Sequence, residues 1–336
     1  MQTEGRLSCN VVFTFDIDRY RALLGAAGTK EGERLMATSI NLNDFTITDG
    51  AGFCLDDYPA SLHMADEERP ALEAELASNK ARIAELQDAL MAESREGLII
   101  VLQALDAAGK DSTIKRVLGG VNPSGITVTS FKQPSDEEHA RGFLWKAECS
   151  VPPRGKIAVF NRSYYEECLV VRVHGLWHEY SEPERCLNVS EEEYFADRYD
   201  DIRAFERYLY RTGYRVVKIY LNVSPKKQKE RFMERLDDES KNWKFSTSDL
   251  KERAHTEEYL QAFQETIAAT ATPEAPWYVI PANQKWVTRA LVSRAILQTL
   301  EDMDPKYPEL PEDKKQTLAW CRKALVHEDQ LKELGE

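Results

Sequence analysis

The chain has 336 residues, 42% hydrophobic and 30% charged, which is enough apolar material for a large buried core. A net charge of −13 argues against non-specific binding to nucleic acid. The apolar run Gly97–Ala104, the longest beside an expected strand, is far too short to span a membrane.

The first residues, MQTEGRLSCNVVFTFDIDRY, carry Glu4, Asp16 and Asp18 and lack a basic start followed by a clean apolar stretch. No secretion signal is expected, and the chain is assigned to the cytoplasm. The cysteines Cys9, Cys54, Cys149, Cys168, Cys186 and Cys321 form no CxxC pair and read as reduced thiols. Charge is unevenly spread. Residues 98–175 hold ten Lys/Arg against eight Asp/Glu, and residues 225–253 hold nine against seven. Two mildly basic stretches inside an acidic chain fit a confined anion site, although ordinary surface variation gives the same pattern.

Residues 1–65 alternate short apolar runs with Gly- and Asp-containing turns and read as an N-terminal extension. Pro70 then suits a first helical turn. Leu72, Leu76, Ile83, Leu86 and Leu90 follow at helical spacing, which predicts an amphipathic helix ending near Arg95 with Gly97 as its stop. Five near-continuous apolar runs come next: Leu98–Leu102, Ile126–Phe131, Lys156–Phe160, Arg215–Leu221 and Trp277–Ile280. Strands buried on both faces of a parallel sheet read this way. Helical stretches at Ser112–Leu118, Asp136–Cys149, Glu191–Arg211 and Trp286–Leu300 separate them. The alternation predicts a three-layer α/β fold with a five-stranded parallel sheet. The core is expected over 66–305, with a charged helical lid at about 225–270 and a helical tail over 306–336.

The first core strand runs into Gln103-Ala104-Leu105-Asp106-Ala107-Ala108-Gly109-Lys110-Asp111-Ser112-Thr113. Backbone amides at a strand-to-helix turn, the helix dipole and one lysine together suit phosphate. The run approximates GxxxxGK[ST], with Ala104 in place of the first glycine and Asp111 in place of the hydroxyl residue. Ser112 or Thr113 can supply a hydroxyl, and Asp106 can supply a metal carboxylate. The alternative is a plain small-residue turn.

The third strand ends in Asn161-Arg162-Ser163-Tyr164-Tyr165-Glu166-Glu167. A neighbouring strand tip presents a metal ligand in P-loop folds. Here Asn161 offers one neutral oxygen, Glu166 or Glu167 a carboxylate, and Arg162 a fork of donors for phosphate. The alternative is an ordinary helix start, with Asn161 and Ser163 as caps. His174 ends an apolar run and reads as a packed element end, while His139, His178 and His255 read as solvent-facing. Trp243 reads as an anchor of the lid in the core, with stacking on a base as the alternative. Trp277 and Tyr278 read as core.

The chain resembles the family-2 polyphosphate kinases. The resemblance is carried in family order by QALDAAGKDST (Gln103–Thr113), GGVNPSG (Gly119–Gly125), SFKQP (Ser130–Pro134), FNRSYYEECLVVRVH (Phe160–His174), KNWKFSTSD (Lys241–Asp249) and APWYVIPANQK (Ala275–Lys285). It departs from the family pattern at Ser112, where glycine is expected, and it does not extend to the first 50 or last 30 residues. It implies a P-loop kinase fold with a helical lid and direct transfer of phosphoryl groups between inorganic polyphosphate and nucleoside mono-, di- and triphosphates. QALDAAGKD and FNRS resemble the branch that phosphorylates both AMP and ADP. The implied cofactor is magnesium, or manganese in its place, held by Asp106, Asn161 and Glu166. The implied catalytic set is Asp106, Lys110, Arg162 and Glu166. Phosphate contacts are implied for Ala107, Ala108, Gly109, Lys110, Asp111 and Ser112, then for Lys132, Arg162 and Arg172, with Arg231, Arg235 and Arg253 closing from the lid. A homo-oligomer, dimer or tetramer, is implied as well. The alternatives are an ATP-dependent nucleotide kinase of the same fold and a non-catalytic polyphosphate- or nucleotide-binding module. The latter would have lost a phosphate lysine or a metal carboxylate, and this chain keeps both.

Overall fold

The computed structural model describes residues 40–180 and 182–326. Leu98, Ile99, Ile100, Val101 and Leu102 lie in β2 (Gly97–Gln103), which is buried along its whole length. A strand without a solvated face needs neighbours on both edges and helices over both faces. Its neighbours are β4 (Ile157–Asn161) and β5 (Tyr214–Asn222), both parallel to it. Outside these lie β3 (Ile126–Ser130) and β6 (Trp277–Pro281), again parallel.

Among the described residues the sheet has six strands rather than the five expected. The additional strand, β1 (Thr46–Ile47), pairs antiparallel with β6, giving the order β1-β6-β5-β2-β4-β3. Two residues show no periodicity, so this edge has no sequence signal. Leu42, Phe45 and Ile47 are buried there, so the described part of the segment before residue 66 is continuous with the core.

Helix α1 (Arg69–Glu93) starts with Pro70 in its first turn and buries Leu72, Ile83, Leu86 and Leu90. Ser94, at φ 55°, ends it by taking the left-handed conformation, and its amide donates to Leu90 O. Gly97, expected as the stop, is instead the first residue of β2. α1 packs against α7 (Lys285–Met303), which also covers α2 (Lys110–Val117). On the opposite face, α3 (Glu191–Arg211) and α6 (Thr256–Thr270) pack together, α3 also touching β5. Three layers result, as expected.

The helix expected over Asp136–Cys149 is two short pieces, Asp136–His139 and Trp145–Ser150, separated by a bend around Gly142. Between β5 and β6 the chain makes a helical excursion through α4 (Pro225–Asp237), α5 (Thr247–Ala254) and α6. Ser224 caps α4, its hydroxyl accepting from the Lys227 amide, and Pro225 occupies the first turn. Trp243 does not anchor this excursion in the core: it is 79% exposed, with the Lys244 ammonium 5.0 Å from its ring. It lies in the 3-10 turn Glu239–Lys244 between α4 and α5, where Phe245 rather than Trp243 packs inward, against Phe232. Trp277 and Tyr278 are buried, as expected. The last helix, α8 (Glu312–Val326), is largely exposed. Among the described residues, no helix is long and apolar enough to cross a membrane, and Cys54, Cys149, Cys168, Cys186 and Cys321 are free thiols.

Candidate active site

β2 and β4 are adjacent and in register, Leu102 opposite Asn161, so their C-terminal tips are level. Ligands of open α/β sheets bind beyond such tips. After β2 the chain turns through Ala107 at φ 59° and Gly109 at φ 106° before α2 begins. Glycine takes the second value without strain; alanine takes the first at a cost of about 1–3 kcal/mol, which surrounding contacts offset. Those contacts come from α4. Gln228 Nε2 donates to Asp106 O at 3.0 Å, and Arg231 Nη1 donates to Ala107 O at 3.2 Å and Ala108 O at 2.6 Å. In a trans peptide the following N–H points opposite to its carbonyl. Drawing these three carbonyls towards α4 therefore turns the amides of Ala107, Ala108 and Gly109 away from it. The Ala108 amide closes on Leu105 O at 3.3 Å. The first-turn amides of α2, those of Lys110, Asp111 and Ser112, have no intrahelical acceptor. An anion is what such a loop binds.

Lys110 folds back over the loop, its Nζ donating to Ala104 O at 2.8 Å and Leu105 O at 3.3 Å. Burial, with repulsion from Arg162, lowers its pKa to about 8. Ser112 Oγ donates to Gly109 O at 2.9 Å, and Thr113 is turned into the core.

At the tip of β4, Arg162 holds a positive φ of 61°. Its Nη2 donates to Asp106 Oδ1 at 2.5 Å and its Nη1 to Glu166 Oε2 at 3.0 Å. The Glu166 carboxylate first, and Asp106 with it, hold this guanidinium firmly protonated. Glu166 sits in a 3-10 turn, Tyr164–Cys168, started by Ser163, whose hydroxyl accepts from the Tyr165 amide. With its amide oriented to satisfy both neighbours, Gln103 donates to Glu166 Oε1 at 3.0 Å and accepts from Ser163 Oγ at 3.1 Å. Gln103 is fully buried, and the sequence assigned it no role of its own. Glu167 turns the other way, accepting from Tyr180, Tyr194 and Arg198; burial raises its pKa.

Asp106, Arg162 and Glu166 line a cleft of about 1080 Å³ that reaches Lys132, Gln228 and Glu252. Lys132 is exposed on its rim. The remaining expected site residues do not line the cleft. Asn161 Nδ2 donates to Asp111 Oδ1 at 2.8 Å. Arg172 is drawn to Glu191, Glu265 and the Tyr199 hydroxyl, outside the cleft. Arg231 is buried, its fork spent on carbonyls of the phosphate loop and of Ala282 and Asn283. Arg235 lies 3.8 Å from Asp249, and Arg253 donates to Gln228 Oε1. Through Gln228, then, Arg253 is one amide away from the loop. His174 Nε2 is 2.9 Å from Glu252 Oε2, bringing α5 against the segment after β4. His139 and His178 are exposed.

Beneath the site, Lys218 of β5 is fully buried and donates to Glu206 Oε2 at 2.7 Å and to Thr270 O at 2.7 Å. Tyr164 and Tyr165 both donate to Glu206 Oε1 at 2.8 Å. The turn that carries Glu166 is thus anchored from below. A lysine within the apolar run Val216–Leu221 was the signal for this cluster, since a buried ammonium requires a partner.

The sequence profile of the polyphosphate kinase 2 (PPK2) family matches residues 66–308. An ADP-polyphosphate phosphotransferase of Rhodopseudomonas palustris is 37% identical over 289 residues, covering 85% of this chain and 99% of the relative. An AMP/ADP-polyphosphate phosphotransferase of Meiothermus ruber is 43% identical over 239 residues, 71% of this chain and 84% of the relative. The crystal structure of polyphosphate kinase 2 from Arthrobacter aurescens TC1 superposes with a TM-score of 0.68 at 38% identity, covering 75% of this chain and 87% of that one. With a phosphate loop, an opposed strand-tip arginine and a family profile across most of its length, the chain belongs to the polyphosphate kinase 2 family.

Proposed function

We propose that this protein transfers phosphoryl groups between inorganic polyphosphate and nucleotides, converting AMP to ADP and ADP to ATP, reversibly and without a phosphoenzyme. The observation that carries the reading is the convergence of Lys110, Arg162 and the loop amides at the level tips of β2 and β4, beside an open cleft. Family membership and the names of the Rhodopseudomonas and Meiothermus relatives support the substrates. The Meiothermus relative, named for AMP and ADP, supports acceptance of both.

In the forward direction a terminal phosphate oxygen of the nucleotide attacks the end phosphorus of polyphosphate. One P–O bond forms, the terminal anhydride P–O bond breaks, and the shortened chain leaves with the electron pair as a phosphate oxyanion. The attacking oxygen is already anionic, so no strong general base is needed. The obstacle is repulsion between two polyanions, which positioned cations in a dry site overcome. Lys110 and the loop amides hold the phosphate at α2; Arg162 lies across from them and neutralises charge on the transferred group.

The carboxylates of Asp106 and Glu166 converge on one guanidinium and are hard oxygen donors, which suits magnesium, an ion that takes one or two carboxylates and fills its shell with phosphate and water. Held there, magnesium would supply neutralisation of phosphate charge. Arg235 and Arg253 on the α4–α5 excursion are the arginines we assign to closure over the phosphates. A cytoplasmic location fits a nucleotide substrate, and a homo-oligomer follows from the family resemblance alone.

The test is to incubate the protein with polyphosphate, magnesium and ADP or AMP, and to measure ATP or ADP. Nucleotide formation that depends on polyphosphate supports the reading; none with either acceptor refutes it. A radiolabelled phosphoprotein that survives a chase would refute direct transfer.

A further inference from the structure

The two faces of α3 differ in character. Tyr194, Phe195, Tyr199, Ile202, Phe205 and Leu209 point inward and are buried. The outward stripe is ordered by charge along its length. Glu193, Asp197 and Asp200 occupy the first half, Ala204 follows, and Arg207, Tyr208 and Arg211 occupy the second half, all of them exposed. Positions three, four and seven apart share a helix face, so these residues form one line.

The helix dipole accounts for only the ends of this pattern. Its reach is the first and last turn, which covers Glu193 and Arg211 but neither Asp197 nor Arg207. Within the helix the order is unfavourable, since Glu193 and Asp197, Asp197 and Asp201, and Arg207 and Arg211 are like charges four residues apart. Among the described residues, Asp200 pairs with Arg203 and Asp201 with Arg198, whereas Glu193, Asp197, Arg207 and Arg211 make no ion pair and no side-chain hydrogen bond. Tyr208 is 62% exposed.

Two such helices side by side and antiparallel, related by a twofold axis level with Ile202, bring opposite ends together. Glu193 and Arg211 stand equally far from Ile202, so each meets the other across the axis. The same holds for Asp197 with Arg207, and for Tyr208 with Ala196, which is exposed and small enough to leave room for the ring. Ala204, facing Asp200, lets the two backbones approach. All four unpaired charges then find an opposite one, and each pair occurs twice. A parallel arrangement would set like against like.

We propose that α3 is the contact between two copies of this chain, packed antiparallel through Glu193, Asp197, Ala204, Arg207, Tyr208 and Arg211. A twofold interface must be complementary to itself, which a stripe acidic at one end and basic at the other is and a uniformly charged one is not. The inference rests on the homo-oligomer reading above and supplies its surface. None of these six residues lines the transfer cleft, so the contact and the chemistry are separable.

Sedimentation equilibrium of the full chain, at low and at high salt, tests it. The native chain should associate, more weakly as salt rises. Arg207→Glu with Arg211→Glu makes the stripe acidic throughout, and Glu193→Arg with Asp197→Arg makes it basic throughout. For each double variant alone the dissociation constant should rise about tenfold or more at low salt, attractive pairs having become repulsive. Mixed in equal amounts the two should reassociate, because every position then meets an opposite charge in the other variant. Misfolded chains would not recover on mixing, so lost contact is told from lost fold. A monomeric native chain would overturn both this proposal and the homo-oligomer reading. Association unchanged in both double variants would overturn the α3 contact alone, as would two dissociated variants that stay apart when mixed.

Discussion

Arg162 Nη2 donates to Asp106 Oδ1 at 2.5 Å, tying the tip of β4 to the loop after β2 across 56 residues of sequence. The same guanidinium reaches Glu166 with its other nitrogen, so one planar fork sets the separation of two carboxylates. Each of the predictions below depends on that junction or on what supports it.

Replacing Arg162 with lysine keeps a charge but loses the fork, and one ammonium cannot hold both carboxylates in place. Transfer is expected to fall on the order of 100-fold, mainly in kcat, because the interaction is strongest with charge spread over the transferred group. Steady-state kinetics with polyphosphate and ADP read this directly. A variant within a few-fold of the native rate would remove Arg162 from the chemistry.

Lys110 has its proton affinity lowered to about 8 in the free protein. Because kcat/KM reports the free enzyme, it should decline as pH rises past about 8, while kcat holds to higher pH once bound phosphate stabilises the ammonium. For stability the sign is opposite. The unfolded lysine keeps its proton to about 10.4, so between these values the unfolded chain binds more protons and raising pH favours the folded state from this group. Lys110→Ala should remove both the pH limb and, on the order of 100-fold or more, the rate. An unchanged pH profile in that variant would show that another group titrates.

Gln103 holds the Glu166 oxygen that Arg162 does not. Leucine at this position leaves Glu166 free to turn, and loss of such a supporting partner typically weakens metal affinity by about 10–100-fold. The magnesium concentration for half-maximal rate should rise accordingly in Gln103→Leu, with a smaller change in KM for ADP. A magnesium titration superimposable on the native one would show that Gln103 serves packing alone.

Glu206→Ala strands the buried Lys218 ammonium and two tyrosine hydroxyls. Breaking one partner of a buried pair costs about 3–5 kcal/mol. Urea unfolding should move to a lower midpoint, with the unfolding free energy extrapolated to water lower by that amount. Glu206→Met with Lys218→Met, which removes both charges, should recover much of the loss. Equal instability in the double variant would locate the cost in packing around Tyr164 and Tyr165.

Contiguous patterns were legible. The five parallel strands, α3 over Glu191–Arg211 and the phosphate loop each occupy one unbroken stretch; the expected burial on both faces holds for β2, β4, β5 and β6 but not for β3, which lies at the sheet edge with Val128 exposed. The Trp243 anchor failed for a different reason. Apolarity shows that an indole prefers burial, whereas which side chain of a turn faces inward depends on the surrounding elements, and here Phe245 packs on Phe232 while Trp243 is left exposed. Strand β1 was missed because two residues have no period, and the Asp136–Cys149 helix was overdrawn because the break at Gly142 outweighs the helical spacing on either side.

By itself the sequence determined the layers, the order of the elements, and the presence of a lysine and a carboxylate in a strand-to-helix loop. Those properties follow from hydrophobic periodicity and turn chemistry within a few neighbouring residues. Only the folded sheet decided which arginine meets Asp106 and that Arg231 braces the loop from behind. Parallel strands meet only after crossovers of many residues. Which side chains stand level at their tips is therefore set by sheet register and helix packing, quantities that no local stretch encodes.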